Sequence, residues 1–441
     1  MSQYDLTQKM IPYLDRHLAY PLLKFLSIKE MYAQADLQQA IYELFSKTNM
    51  IDFTADLYKQ INNTEDSTEK FAEQRTQVLS KLEELQTEAQ KVMSVIEKPE
   101  VIQALKQDKL QNIQYLKENF GFDPESINIL YQYGKFQFDC GNYGTAADML
   151  YHFRVLSTDQ NLILNAMWGK LASEILAGNF TAAYQDIMKL RELIDSTSYE
   201  NQLHQLQQRT WLLHWTLFVF FNYPKGKDGL IDMFLHPQYI NTIQTSCPWI
   251  LRYVTAAVVT NRRRKNTIKD LVKAIQQEAY NYRDPMTDFL LALYVEFDFD
   301  GAQSKLKQCE ELMSQDFFLI SSLEKFVENA RIFILEAFCR IHQRINIATL
   351  SERLNMTQEE GEKWIVNLMR DNRVDAKINF SDNTVVMNPV TTSVTSQLID
   401  KTKEISIHSQ FMVNGLDKRE QALAAAKAIS NQAQPPSTSS A

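Results

Sequence analysis

The sequence predicts an all-α helical-repeat solenoid that ends in a winged helix and continues into C-terminal helices. Glycine and proline number only 11 each in 441 residues, about 5% together where roughly 12% is average, so turns are too scarce for a β-rich fold. A helix-turn-helix unit also recurs with a period in the mid-thirties. After residue 343 the apolar pattern changes to the short alternating runs of strands.

Composition narrows the functional classes. Hydrophobic residues make up 45% of the chain, which supports a large core and excludes wholesale disorder. The net charge of −8 argues against wrapping of nucleic acid or binding to an anionic membrane surface. The four cysteines have no CxxC spacing, which predicts reduced thiols in a cytosolic protein. They are Cys140, Cys247, Cys309 and Cys339.

Residues 1–62 are predicted to form short N-terminal helices. Leu14, Leu18 and Leu22 recur at helical spacing. Pro21 lies within this stripe and is expected to kink or divide the segment, because proline removes a backbone donor.

Residues 63–121 are predicted to form a long helical hairpin. From Phe71 to Ile96 apolar residues recur at alternating spacings of four and three, with Arg75 as the exception. This heptad pattern predicts a long helix that ends before Pro99. A coiled coil with another chain would explain the pattern too, but a hairpin with residues 101–120 is favoured.

Residues 122–329 carry the repeats and are predicted to be helical hairpins of the tetratricopeptide type. Gly134-Lys135 matches Gly169-Lys170, and Gly141-Asn142-Tyr143 matches Gly178-Asn179-Phe180. Each unit has the pattern of a helix, a Gly-Asn-aromatic turn and a second helix. Such hairpins must stack, because one hairpin cannot bury its own apolar face.

The most apolar run in the chain is Trp211 to Phe221. Eleven helical residues span about 17 Å, well short of the roughly 30 Å hydrocarbon core of a membrane. The run is therefore predicted to be a buried core helix. His214 lies within it and is expected to be a hydrogen-bonded core histidine rather than a metal ligand.

Residues 330–390 have the element order of a winged helix: helix, strand, helix, helix and a two-stranded ribbon. The ribbon is predicted from Val374 to Phe380 and from Thr384 to Asn388, with a turn at Ser381-Asp382-Asn383.

The C-terminal region, residues 391–430, is predicted to contain two helices, 391–412 and 417–430, broken at Asn414-Gly415. Residues 431–441 have no charge and no large apolar side chain, so they are expected to be disordered.

The sequence carries no recognisable catalytic or metal-binding motif. The seven histidines are dispersed, and the sequence contains no His-x-His pair, no HExxH, no zinc-spaced Cys/His cluster, no phosphate loop and no GxSxG elbow. We therefore expect no catalytic residue, no metal and no cofactor, and a protein that is not an enzyme.

Winged helices often bind DNA, but the charges here predict a protein partner. Residues 331–388 contain eight basic and eight acidic residues, and the helix that would enter DNA begins with Glu359, Glu360 and Glu362. Duplex affinity depends on neutralising phosphates. A separate basic cluster is most simply a solvated loop, with contact to RNA or an acidic partner as the alternative. It comprises Arg262, Arg263, Arg264 and Lys265.

Two segments are candidate partner interfaces. The second ribbon strand carries Val385, Val386 and Met387 without a charge, and a free apolar strand edge invites pairing with another chain. Residues 391–412 of the same chain could cover that edge instead. The C-terminal region adds an apolar stripe that the winged helix does not need. It comprises Val394, Leu398, Ile405, Phe411 and Met412.

Four parts of the sequence carry a family resemblance. The N-terminal residues Tyr4 to Tyr32 and Thr48 to Ile61, the repeats and the run from Ala330 to Asn388 resemble the E subunit of eukaryotic translation initiation factor three, a family with a PCI domain (helical repeats that run into a winged helix). The resemblance covers nearly the whole chain.

The resemblance implies a non-catalytic scaffold that supports mRNA recruitment and initiation on the small ribosomal subunit. It implies neighbours from the families of the C, D and L subunits, contact with the cap-binding scaffold factor, and a cytoplasmic location, without DNA or membrane binding. Leu14 to Leu26 resembles a nuclear-export segment, which would imply a minor nuclear pool, although a buried helix face is favoured. The alternatives are a PCI scaffold of the proteasome lid or the COP9 signalosome, and a free RNA-binding adaptor.

Overall fold

A computed structural model describes residues 4–62, 68–96, 117–118, 124–197, 199, 201–261, 265–342, 344–347, 363, 366, 370, 376–379, 384–387 and 394–432. The chain divides into two compact units, Met1–Phe338 and Cys339–Ala441. The first unit is helical wherever its secondary structure is regular, and the second combines a small sheet with a long helix.

The helices of the described residues before the sheet are short or of medium length, apart from one of 29 residues. They are α1 (Thr7–Met10), α2 (Arg16–Ile28), α3 (Gln34–Phe45), α4 (Ile51–Asn62), α5 (Thr68–Ile96), α6 (Pro124–Asp139), α7 (Tyr143–Leu156), α8 (Gln160–Ala177), α9 (Phe180–Ser196), α10 (Gln202–Asn222), α11 (Gly226–Phe234), α12 (Pro237–Ser246), α13 (Leu251–Thr260), α14 (Lys265–Glu278), α15 (Pro285–Leu291), α16 (Phe299–Gln315) and α17 (Leu323–Ile341).

The N-terminal helices form a small core of their own. Asp15 caps α2 by accepting a hydrogen bond from the backbone N–H of His17, and the helix then buries Leu23 and Leu26 against α3 and α4. The expectation that Pro21 divides this segment is wrong, because α2 continues through it as one helix. The buried leucines support the interpretation of this stretch as core.

The heptad seam of α5 is confirmed as a packing face over its C-terminal half. Ala89, Val92 and Ile96 are buried against Leu130 of α6 and Phe153 of α7. The seam therefore faces the repeats. The hairpin partner predicted in residues 101–120 lies outside the described residues, apart from positions 117 and 118.

The repeat units have the predicted order of helix, turn and helix. Gly141 and Gly178 occupy the turns with φ of +89° and +80°, a left-handed conformation that glycine adopts without steric cost. Gly134 of α6 and Gly169 of α8 both lie against Leu150 of α7, and a Cβ at either glycine would come within 3.0–3.1 Å of that side chain. These glycines allow α7 to approach both neighbouring helices closely.

The main core runs from the N-terminal segment to α17 and is built around α10. His214, Leu217 and Val219 are fully buried there, which confirms the prediction of a buried core helix from Trp211 to Phe221. Among the described residues no helix combines the length and apolar character that crossing a bilayer requires. All four cysteines are free thiols, and Cys247 and Cys309 are buried.

The second unit begins with a three-stranded antiparallel sheet. Its strands are β1 (Arg344–Asn346), β2 (Ala376–Asn379) and β3 (Thr384–Met387), in the order β1-β3-β2. Val385 of β3 lies opposite Ile345 of β1 and Ile378 of β2. The two helices predicted between β1 and β2 fall almost entirely outside the described residues.

The strand order overturns the expectation that β3 has a free edge. The predicted ribbon of β2 and β3 is present, but β1 pairs with the other side of β3 and makes it the central strand. Thr384, Val385 and Val386 are thus paired on both sides within the chain, so the expectation of a free strand edge at Val385 and Val386 is wrong. Neither another chain nor residues 391–412 are needed to cover that edge.

The C-terminal region is one helix, α18 (Val394–Gln432), of 39 residues. The predicted break at Asn414-Gly415 is wrong. An interior glycine costs a helix only about 1 kcal/mol, and a Cβ added at Gly415 would meet no atom within 4 Å, so nothing forces a turn there. The tail predicted to be disordered from residue 431 lies outside the described residues after Gln432.

Candidate interaction surface

Helix α18 is the most exposed element of the described chain. Every side chain from Val394 to Gln421 is exposed to solvent, and a helix of 39 residues is about 58 Å long. Exposed helices of soluble proteins normally carry polar residues on the water side. This one instead exposes nine large apolar side chains, each to more than half of its surface.

Five of these apolar residues form a continuous stripe, which we call the α18 stripe. Their spacings are four, seven, seven and four residues, so at 3.6 residues per turn all of them fall within about 20° of one line along the helix. The members are Val394, Leu398, Ile405, Met412 and Leu416. This is the geometry of a helix that packs lengthwise against another helix.

The remaining side of α18 is mixed. Asp400 and Lys403 form an exposed ion pair there at 3.9 Å. Phe411 is 71% exposed but lies about 120° around the helix from Ile405. The candidates Leu398 and Ile405 therefore share a face, whereas Phe411 does not belong to it.

The other predicted site residues lie elsewhere. Val385 is buried in the central strand of the small sheet, and Val386 is half-buried. The backbones of both residues pair with β1 and β2. Lys265 is the first residue of α14, and Arg262, Arg263 and Arg264 fall outside the described residues.

His214 is a buried titratable residue, and its contacts show whether it could act in catalysis. Its Nδ1 lies 2.7 Å from the carbonyl oxygen of Thr210, and its Nε2 accepts the indole N–H of Trp249 at 3.1 Å. Tyr13 stacks on the ring with 4.6 Å between centroids. Burial lowers the pKa of His214 to about 4, so the imidazole is a neutral, fully bonded core residue, as predicted.

Metal chemistry has no support in the part of the chain that the structure describes. No group of three or more His, Cys, Asp or Glu side chains is arranged there to hold a metal ion. His17, another buried histidine, lies 3.0 Å from the hydroxyl of Tyr143 through its Nδ1, and burial lowers its pKa as well.

One buried charge network was missed by sequence reasoning. Arg252 on α13 binds Asp284 before α15 at 2.5 Å and Asp316 after α16 at 3.3 Å. Tyr253 donates its hydroxyl to Asp316 at 3.1 Å. Burial raises the pKa of both aspartates, and Arg252 opposes that rise. The sequence shows an arginine inside the apolar run Leu251–Val259. The spacing of residues does not reveal which acidic residues pair with it.

Comparison with known proteins gives consistent matches across the chain. The family model described as eIF3 subunit 6 N terminal domain matches residues 5–137, and the model described as PCI domain matches residues 306–389. A protein of Aspergillus fumigatus, named as the E subunit of eukaryotic translation initiation factor 3, is 49% identical over 419 residues, covering 93% of this chain and 92% of the relative.

Further relatives carry the same name. The Aspergillus terreus protein is 49% identical over 419 residues, covering 93% of this chain and 94% of the relative. The Sclerotinia sclerotiorum protein is 48% identical over 409 residues, covering 91% of both.

Proposed function

The chain belongs to the family of the E subunit of eukaryotic translation initiation factor 3, and from this premise we propose that it assembles with other subunits of the complex through the α18 stripe. As a member of that family it is a non-catalytic subunit of a translation initiation factor. The observation that carries the proposal is the row of five exposed apolar side chains along one line of a 39-residue helix.

The stripe is costly unless a partner covers it. Burying one large apolar side chain stabilises an assembly by about 1.5–3 kcal/mol relative to leaving it in water. Helix-in-groove recognition uses apolar anchors one and two turns apart, and the spacings of the α18 stripe fit that mode. The partner surface expected here is therefore an apolar helical groove contributed by other subunits.

The partners proposed from family membership are the C, D and L subunits. Through them the protein would support mRNA recruitment and initiation on the small ribosomal subunit, with the cap-binding scaffold factor as a further contact. The cytoplasm is the compartment expected of a translation factor. A minor nuclear pool would require exposure of the leucines in α2, and their burial argues against that segment as a constitutive export signal.

The domain organisation belongs to the same proposal. Residues 1–62 form the N-terminal helices, 63–121 a long hairpin, 122–329 the repeats and 330–390 the winged helix, with the last two together making the PCI domain. The C-terminal helix and the tail after it follow. The start of the second compact unit at Cys339 supports a boundary close to residue 330.

Two matched triple variants test the role of the stripe. The first variant replaces Leu398, Ile405 and Met412 by serine. The second replaces Ile399, Ile407 and Phe411 by serine. These three residues are also exposed, but they lie at least about 120° away from Ile405 around the helix. Each would be purified from cells with its native complex, and the subunit stoichiometry measured by mass spectrometry. We expect the stripe variant to lose partners and the off-stripe variant to retain them.

The same measurement separates the remaining alternatives. Recovery of initiation-factor subunits with the wild-type chain supports the proposal, whereas recovery of proteasome-lid or signalosome subunits would contradict it. A chain without stable partners, retained on RNA through Arg262 to Lys265, would favour the adaptor. Equal partner loss in both triple variants would refute the specific role of the stripe.

A further inference from the structure

The first unit contains a cavity of about 350 Å³, far from α18 in the sequence. The N-terminal segment Tyr4–Met10 forms one wall and α2 forms the second. Helices α13 and α16, with the residues that follow α16, form the remainder. Its volume lies in the lower part of the range of ligand pockets, roughly 300–1,000 Å³.

One part of the wall is apolar and aromatic. The side chains that contribute to it are Leu22, Leu26, Leu312, Phe25, Phe317 and Phe318. Apolar and aromatic walls of this kind accommodate the aliphatic stem of a long basic side chain. The chain's own Lys29 already lies over the ring of Phe25, with 5.8 Å between its Nζ and the ring centroid.

The other part of the wall carries carboxylates in excess of cations. Asp5, Glu311 and Asp316 line the cavity, and Arg252 is the basic residue among its lining residues. Arg252 is shared between Asp316 and Asp284, so this buried network alone holds two carboxylates for one guanidinium.

The carboxylates differ in what they already bind. Asp5 accepts hydrogen bonds from the backbone N–H of Thr7 at 3.0 Å and from the hydroxyl of Tyr32 at 2.8 Å. Glu311 lies on the exposed side of α16, and no other described residue forms an ion pair with it. Glu311 is therefore the carboxylate available to an incoming cation.

We propose that this cavity binds a basic peptide segment of a partner protein, which inserts an arginine or lysine side chain. The aliphatic stem lies along the apolar wall, and the charged end meets Glu311, with Asp5 and Asp316 as the other carboxylates of the wall. Charge complementarity selects this partner over an acidic or purely apolar one. The cavity shares no residue with the α18 stripe, so the two proposals can be tested independently.

The test uses the full-length chain and two capped tripeptides, acetyl-Leu-Arg-Leu-amide and its citrulline analogue, which has the same shape without the charge. The chain is labelled with ¹³C at its methionine methyl groups. Met10 and Met31 line the cavity, whereas Met412 lies on α18 and serves as an internal reference. We expect the arginine peptide to shift Met10 and Met31 only, and to bind about tenfold more tightly than the citrulline peptide.

A matched pair of variants locates the charge. Glu311→Gln should weaken binding of the arginine peptide several-fold. Glu310→Gln removes the same charge at the neighbouring position of α16 and should leave binding unchanged, because Glu310 is not among the residues that line the cavity. Both variants should melt like the wild type, because glutamine has the shape of glutamate and both side chains reach the surface of α16. Glu311 is exposed there and Glu310 is half-buried.

Three results would overturn the proposal. One is equal affinity for the citrulline and arginine peptides, and another is shifts at Met412 as large as those at Met10. The third is tighter peptide binding after deletion of residues 1–3, which would identify the chain's own N-terminus as the occupant.

Discussion

The guanidinium of Arg252 donates a hydrogen bond to the backbone carbonyl oxygen of Tyr4 at 2.8 Å, across 248 positions of sequence. The same side chain binds the carboxylates of Asp284 and Asp316. One residue on α13 therefore joins the N-terminal segment to two loops of the C-terminal half of the first unit.

Replacement of Arg252 by methionine should destabilise the first unit strongly. The variant leaves two buried carboxylates without their cation, and breaking a buried ion pair in this way typically costs about 3–5 kcal/mol. Urea denaturation should show the loss in free energy of unfolding, and hydrogen exchange should accelerate in residues 4–10. Lys305→Met removes a partly exposed pair with Asp288 and should cost less than about 1 kcal/mol. Equal losses in the two variants would contradict the role of the network.

The stability of the chain should fall in mild acid because of His214. Its pKa is about 4 in the folded chain and near 6.5 when unfolded, so between these values the unfolded state binds more protons. The free energy of unfolding should therefore decrease as the pH falls from about 6.5 to about 4, by up to about 3 kcal/mol. Chemical denaturation at a series of pH values measures this decrease.

The control for that experiment is His214→Phe. The variant should start less stable, because Thr210 and Trp249 lose their partner, but its stability should decrease less on acidification. Burial lowers the pKa of His17 as well, so some decrease will remain. The buried aspartates, whose pKa values are raised, act in the opposite direction. Parallel pH profiles of variant and wild type would rule out His214 as the source.

The two halves of α5 should respond differently to a buried charge. Val92→Asp places a carboxylate in the cluster with Leu130 and Phe153 and should cost several kcal/mol, because an unpaired charge cannot be solvated there. Leu79→Asp on the same helix changes a side chain that is 47% exposed and should cost roughly 1 kcal/mol or less. Leu82 and Leu85 are partly buried against the cluster and should fall between. Thermal melts of the four variants rank these costs.

Glycine replacements should separate packing from helix propensity. Gly144→Ala on α7 meets no atom within 4 Å and should stabilise the chain by up to about 1 kcal/mol. Gly134→Ala places its Cβ 3.1 Å from Leu150, and the resulting strain should cancel or reverse that gain. Equal increases in melting temperature would show that Leu150 moves aside freely. Adding Leu150→Ala to Gly134→Ala should remove the steric part of the effect.

Local signals predicted three features of the structure correctly. The Gly-Asn-aromatic turns, the apolar run of α10 and the seam of α5 depend on backbone sterics and helical periodicity, which act within a few residues. The structure has each of them where it was predicted.

Predictions failed where the deciding partner lies far along the chain or where a local penalty is small. The pairing of β1 with β3 joins residues about 40 positions apart, and the alternation of apolar residues gives no strand order. The break expected at Asn414-Gly415 is absent, because an interior glycine costs too little to stop a helix that is otherwise favourable. Pro21 was expected to kink or divide its segment, and α2 continues through it as one helix.

For the candidate interaction surface, too, some features follow from the sequence and others only from the fold. Sequence alone determined the composition of the C-terminal segment and its apolar residues, because amphipathic spacing is a local property. Only the folded structure decided that these residues lie on one continuous helix, that Phe411 is off the stripe, and that β3 has no free edge. It also decided the Arg252 network and its cavity, because buried charges are paired by tertiary packing between residues that sequence spacing cannot associate.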